Sequence, residues 1–104
     1  MQEISILHEQ LREALKRGAL LDPKTISEEV RHITVRQLDI PARIISLIEV
    51  LGVNTIWDLV HLSEEDCVKY RFLRSSRIRL LEFIRVINLA IDVLNGKHLL
   101  LMQR

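Results

Sequence analysis

Seven charged side chains lie between Lys69 and Arg85, and six of them are positive: Lys69, Arg71, Arg74, Arg77, Arg79 and Arg85, against Glu82 alone. Guanidinium groups gathered in this way can take up phosphate oxygens or reach into a narrow DNA groove, although a solvated helix face is the plainer meaning of such a run. The formal net charge of +1 hides a strong polarity along the chain. Residues 1–33 balance at −1, residues 34–66 at −4 and residues 67–104 at +6. An anionic partner is therefore expected at the last third.

Other chemistry is thin. His8, His32, His61 and His98 are scattered, without the i, i+4 pairing of a metal-binding helix. Cys67 is the one cysteine, too few for a disulfide or a thiolate metal cage, and reads as a packed core thiol. Glu64, Glu65 and Asp66 stand together after Ser63, where a helix N-terminus explains three carboxylates without catalysis. The sequence holds no Gly-rich phosphate loop, nucleophile elbow or HExxH. Neither an enzyme nor a cofactor or metal is expected.

These side chains need a scaffold, and composition defines its class. Of 104 residues, 39 are Leu, Ile or Val, while only 4% are aromatic and three are Gly. A single core of branched aliphatics is within reach at this length, and disorder is excluded. The expected class is all-α, a compact bundle of short helices. The longest apolar run, Leu99 to Met102, is far too short to span a membrane, and Met1-Gln2-Glu3 has no signal-peptide character. A cytoplasmic protein is expected.

Periodicity places the helices. Ile4, Leu7, Leu11, Ala14 and Leu15 form one face of a helix from Glu3 to about Leu21, opposite Glu9, Arg12, Glu13, Lys16 and Arg17. That face suits docking on the core or a dimer seam. Asp22-Pro23 reads as the start of a new element, Ser27 as a helix cap, and Thr34-Val35-Arg36 as an extended or connecting stretch. Ile40-Pro41 opens a helix with Ile44, Ile45, Leu47, Ile48 and Leu51 inward, and Gly52 stops it. Asn54 or Thr55 caps a short helix through Ile56, Trp57, Leu59 and Val60, and Ser63 caps another. Ser75-Ser76 caps the longest helix, which runs to about Asn95. There Arg79, Glu82, Arg85, Asn88, Asp92 and Asn95 make one narrow polar stripe. The apolar remainder (Ile78, Leu81, Ile84, Val86, Ile87, Leu89, Ile91, Leu94) predicts cover on more than one side. The organisation expected is an N-terminal helical extension over 1–33, able to serve as a dimerisation element, followed by a helical domain over 34–104. His98 to Met102 would form an exposed apolar patch unless docked or paired.

Two tight turns stand in tandem, one through Leu51-Gly52-Val53-Asn54-Thr55-Ile56 and one through Tyr70-Arg71-Phe72-Leu73-Arg74-Ser75-Ser76. Helices joined this way offer backbone N–H groups to phosphate. Together with Leu38-Asp39-Ile40-Pro41-Ala42-Arg43 and Leu62-Ser63-Glu64-Glu65-Asp66, this order of motifs resembles the C-terminal domain of the bacterial RNA polymerase alpha subunit, a helix-hairpin-helix type module, over about residues 34 to 90. The resemblance implies a helical domain that binds the minor groove of A·T-rich DNA and docks on transcription factors.

Carried over by position, the resemblance implies that Arg43 is the principal minor-groove arginine. Ser46 stands where the family usually has asparagine and Glu49 where a basic residue is common. Arg74 replaces the hairpin glycine, Ser75 and Ser76 replace its lysines, and Arg77 replaces a serine. The DNA-contact set is therefore Arg43, Ser46, Arg71, Arg74, Ser75, Ser76, Arg77 and Arg79. With one amphipathic helix ahead of the module, a free-standing, dimeric relative is expected. The alternative keeps the fold but makes it a protein-interaction adaptor on the transcription machinery that has lost DNA binding; Glu49 and the −4 balance of residues 34–66 favour it.

Overall fold

A computed structural model describes residues 2–69 and 76–96. The order is α1 (Gln2–Ala19), α2 (Glu28–Arg31), a 3-10 turn (Val35–Gln37), α3 (Ala42–Val50), α4 (Ile56–Val60), α5 (Glu64–Val68) and α6 (Arg77–Leu94). The described residues contain no strand, only an isolated antiparallel bridge between Thr34 and Thr55. No described helix is long and apolar enough to cross a membrane.

Local chemistry sets most boundaries. Ser27, Thr55, Ser63 and Ser76 each accept a hydrogen bond from the backbone N–H three residues on, which satisfies an otherwise orphaned donor at the start of α2, α4, α5 and α6. Of Asn54 and Thr55, the cap is Thr55. Gly52 ends α3 with φ +82°, a backbone conformation that costs a residue bearing Cβ about 1–2 kcal/mol. Asp22-Pro23 does not start a helix. The Asp22 side chain and carbonyl accept from Lys24 N–H (2.9 Å) and Thr25 N–H (3.0 Å), closing a single turn. Ile26 then enters the core and Ser27 caps α2, so no room remains for a longer element.

α6 is the axis of the packing. Leu80, Phe83, Ile87, Ala90 and Val93 are fully buried, with Ile84, Val86, Ile91 and Leu94 nearly so. α1 covers it most extensively and α4 next. Leu7, Leu11, Ala14 and Leu15 of α1 belong to the same core cluster as Ile44, Ile48, Ile56 and Leu59, so the apolar face of α1 is occupied within the chain. Full burial of a leucine such as Leu11 contributes about 2 kcal/mol. The breadth of the buried surface on α6 matches its narrow polar stripe. Ile78 is the exception: grouped with the apolar surface in sequence, it is 67% exposed in the first turn. It borders a depression of about 360 Å³ between the starts of α1 and α6, lined also by Ile6, Leu7, Arg77 and Leu81.

Gly18, near the end of α1, is a point of close approach. A Cβ built on it would lie 2.3 Å from the Val60 carbonyl oxygen and 2.9 Å from the Val60 Cβ. Absence of a side chain there is what lets α1 and α4 approach each other. The connection between α2 and α3 is tied down by Val35 N–H donating to the Asn54 carbonyl and Ile56 N–H donating to the Ile33 carbonyl, both 2.9 Å. Thus α3, its turn and α4 are held to the rest by backbone bonds as well as by packing.

Candidate nucleic-acid interface

α3 is amphipathic in a way that projects Arg43. Ile44, Leu47 and Ile48 face the core, so Arg43, Ser46 and Val50, at three- and four-residue steps, share the outer face. From the other side, α6 contributes Arg79. Arg43, Ser46, Val50 and Arg79, with Ile44 and Leu47 beneath, line a shallow groove of about 260 Å³. Three of the residues expected to contact DNA therefore meet, although Arg43 and Arg79 lie far apart in sequence.

The remaining members of that set distribute differently. Ser76 Oγ accepts from Arg79 N–H at 3.3 Å, so this hydroxyl already serves as the cap of α6. Arg77, in the next position, lines the apolar depression beside Ile6 and Ile78 instead of the Arg43 groove. Arg71, Arg74 and Ser75, together with the second tight turn, lie outside the described residues, as does the tail His98 to Met102.

The groove is not simply positive. Arg43 Nη2 donates to Glu82 Oε2 at 2.5 Å across the α3–α6 seam, with the Glu82 side chain only 18% exposed and that of Arg43 69% exposed. Glu82 also lines a second depression, with Ile40, Pro41, Ile44, Arg85, Val86 and Leu89. It reaches Arg43 from that second hollow and does not itself line the first. On the far side of α3, Arg36 grips Glu49 with both nitrogens of its fork, Nε to Oε2 at 2.7 Å and Nη2 to Oε1 at 2.8 Å. Glu49, whose charge would repel phosphate, is therefore matched by a guanidinium. Neither pair was visible in the sequence, because partners 39 and 13 residues apart leave no helical spacing to read. The one signal was Glu82 itself, the lone acid in a basic run.

Elsewhere the chemistry is structural. Cys67 is fully buried, and burial, followed by the charges of Asp66 and Glu64, pushes its thiol up to about 12. Such a thiol is a poor nucleophile. Arg31 lies over the Trp57 ring, 5.7 Å from its centroid, with His61 against the same ring at 4.3 Å. Among the described residues no group of three His, Cys, Asp or Glu side chains is placed to hold a metal ion.

Comparison with known proteins finds a DNA-directed RNA polymerase subunit alpha of Marchantia polymorpha, 35% identical over 68 residues. The alignment takes in 62% of this chain and 20% of the relative, so the chain corresponds to about a fifth of that protein. No family model matches, and no solved structure matches. The similarity supports a relation to RNA polymerase alpha subunits.

Proposed function

We propose that the chain is a non-catalytic, transcription-related module that binds DNA through the α3–α6 face. Arg43 enters the minor groove of an A·T-rich duplex, where the narrow walls strengthen the attraction for a guanidinium. Ser46 and Arg79 contact the adjoining backbone, and Arg77 extends the contact along the start of α6. Arg71, Arg74, Ser75 and Ser76 complete the proposed set from the stretch of sequence that precedes α6. The observation that carries this reading is the meeting of Arg43, Ser46 and Arg79 in one groove. Similarity to an RNA polymerase alpha subunit supports the link to transcription.

Fluorescence anisotropy with A·T-rich and G·C-rich duplexes at low and physiological salt tests it. Preference for A·T, a steep salt dependence, and roughly tenfold weaker binding by Arg43→Ala are expected. Equal binding of both duplexes, or an unaffected Arg43→Ala, would overturn the minor-groove assignment.

A second reading, a protein-interaction adaptor acting on the transcription machinery or through a second copy of the chain, is favoured by two features. Arg43 of the groove is already engaged by Glu82, and Ile6, Val50 and Ile78 are each more than half exposed. Absence of DNA binding even at low salt would favour that adaptor.

A further inference from the structure

We infer that Glu82 limits the affinity of the α3–α6 groove by holding Arg43 in reserve, so that a bare phosphate gains little there; this rests on the DNA-binding reading above. Three observations converge on Glu82. Its carboxylate pairs with Arg43, an exposed cation of the groove wall, across two helices. Its own side chain is largely buried at the seam, so it is held in place and cannot swing away as a surface glutamate would. It also lies one helical step from both Arg79 and Arg85, at the i−3 and i+3 positions of α6, so a negative charge is set between two arginines along the helix.

A phosphate approaching this face meets an anion fixed among the cations. Arg43 must leave Glu82 to engage it, and the exchange replaces one anionic partner by another. Its net gain is small for any ligand that offers nothing more than a phosphate. A narrow minor groove offers more, because its concentrated negative potential and the added contacts of Ser46 and Arg79 compensate for the lost pair. Glu82 therefore lowers affinity for the fitting and the non-fitting duplex alike, so that at a given concentration only the former stays bound. The charge of Glu82, not its bulk, does this.

Glu82→Gln keeps shape and removes charge, and anisotropy titrations of A·T-rich and G·C-rich duplexes across a salt series read the outcome. Glu82→Gln is expected to bind both duplexes about three- to tenfold more tightly at low salt, with the ratio between them little changed. Its salt slope should steepen by about one, as for one more phosphate neutralised. In an Arg43→Ala background the same change should have little effect, because the coupling runs through Arg43. Circular dichroism melts of each variant establish that it is folded.

Unchanged affinity in Glu82→Gln, with Arg43→Ala still weakening binding, overturns the role of Glu82 and leaves the DNA reading intact. Tightening that is equal with and without Arg43 also overturns it, since a general charge effect then suffices. Failure of both the native chain and Glu82→Gln to bind DNA removes the DNA reading and this inference with it.

Discussion

Gly18→Ala is expected to destabilise the protein, against the usual gain from replacing a helical glycine. In an open helix the change removes backbone freedom from the unfolded chain and stabilises by up to about 1 kcal/mol. Here the new methyl would lie 2.3 Å from the Val60 carbonyl oxygen, roughly 1 Å inside ordinary contact. The obstacle is backbone that cannot rotate aside as a side chain can. α1 and α4 must separate, and both pack on α6, so the disturbance reaches Leu11, Leu59 and Leu80, all fully buried. Overpacking costs about 1–3 kcal/mol; a clash this close to backbone falls in the upper part of that range, about 2–3 kcal/mol, and after the propensity gain is subtracted a net loss of about 1–2 kcal/mol remains. For a chain of this size that corresponds to a fall in Tm of roughly 5–10 °C. Thermal and urea melts followed by far-UV circular dichroism measure it. Gly52 supplies the contrast: a Cβ there meets nothing within 4 Å, and only its φ of +82° resists substitution. Gly52→Asn, whose side chain tolerates that conformation, should recover part of the loss seen in Gly52→Ala, whereas Gly18→Asn should be worse than Gly18→Ala. A Gly18→Ala variant as stable as the native chain would refute the argument that close approach of α1 to α4 builds this core.

Two further outcomes are expected. Cys67 should resist alkylation in the native protein at pH 8 and react at once in denaturant. Because its folded pKa is raised from the ordinary value near 9 to about 12, the folded state holds the proton more tightly than the unfolded one. The resulting stabilisation is fully present below pH 9 and is lost as pH climbs toward 12; loss of this pH dependence in Cys67→Ala, followed by urea melts, checks the assignment. Glu49→Lys breaks the fork with Arg36 at a cost below about 1 kcal/mol, since the pair is largely exposed. It should also tighten DNA binding at low salt and steepen the salt slope, and unchanged anisotropy titrations would show that this side of α3 does not face DNA.

The local parts of the fold were legible because their causes are local. The four serine and threonine caps, the stop at Gly52 and the buried faces of α1 and α3 all follow from residues within one or two turns. Ser76 illustrates the rule: its hydroxyl bonds the N–H of Arg79, and both are named by the same short stretch of sequence. What was not legible depends on tertiary placement. Gly18 carries no mark that distinguishes a contact glycine from a fraying one until α4 is laid against it. Asp22-Pro23 has the chemistry of a helix start, but Ile26 is drawn into the core too soon for a helix to form. The bridge of Thr34 to Thr55 and the pairing of Arg36 with Glu49 require segments to meet that no spacing connects.

The candidate groove divides along the same line. Arg43, Ser46 and Arg79 could be named from the sequence, yet their charge state as a group could not, because Glu82 decides it from across the seam. A tally of basic residues over 67–104 suggests strong, indiscriminate attraction to nucleic acid. The geometry argues for less. An arginine that must exchange one carboxylate for one phosphate gains little from the exchange itself, so any excess must come from the shape of the ligand. A module built this way would lean on the surrounding basic charge for encounter, which salt screens, and on the fit of the Arg43 groove for retention, which salt screens much less. The two contributions separate in kinetics. Salt should chiefly slow association of the A·T-rich duplex, whereas Arg43→Ala should chiefly speed its dissociation. A native chain whose dissociation rate rises with salt as steeply as its association rate falls would argue that charge alone holds the duplex.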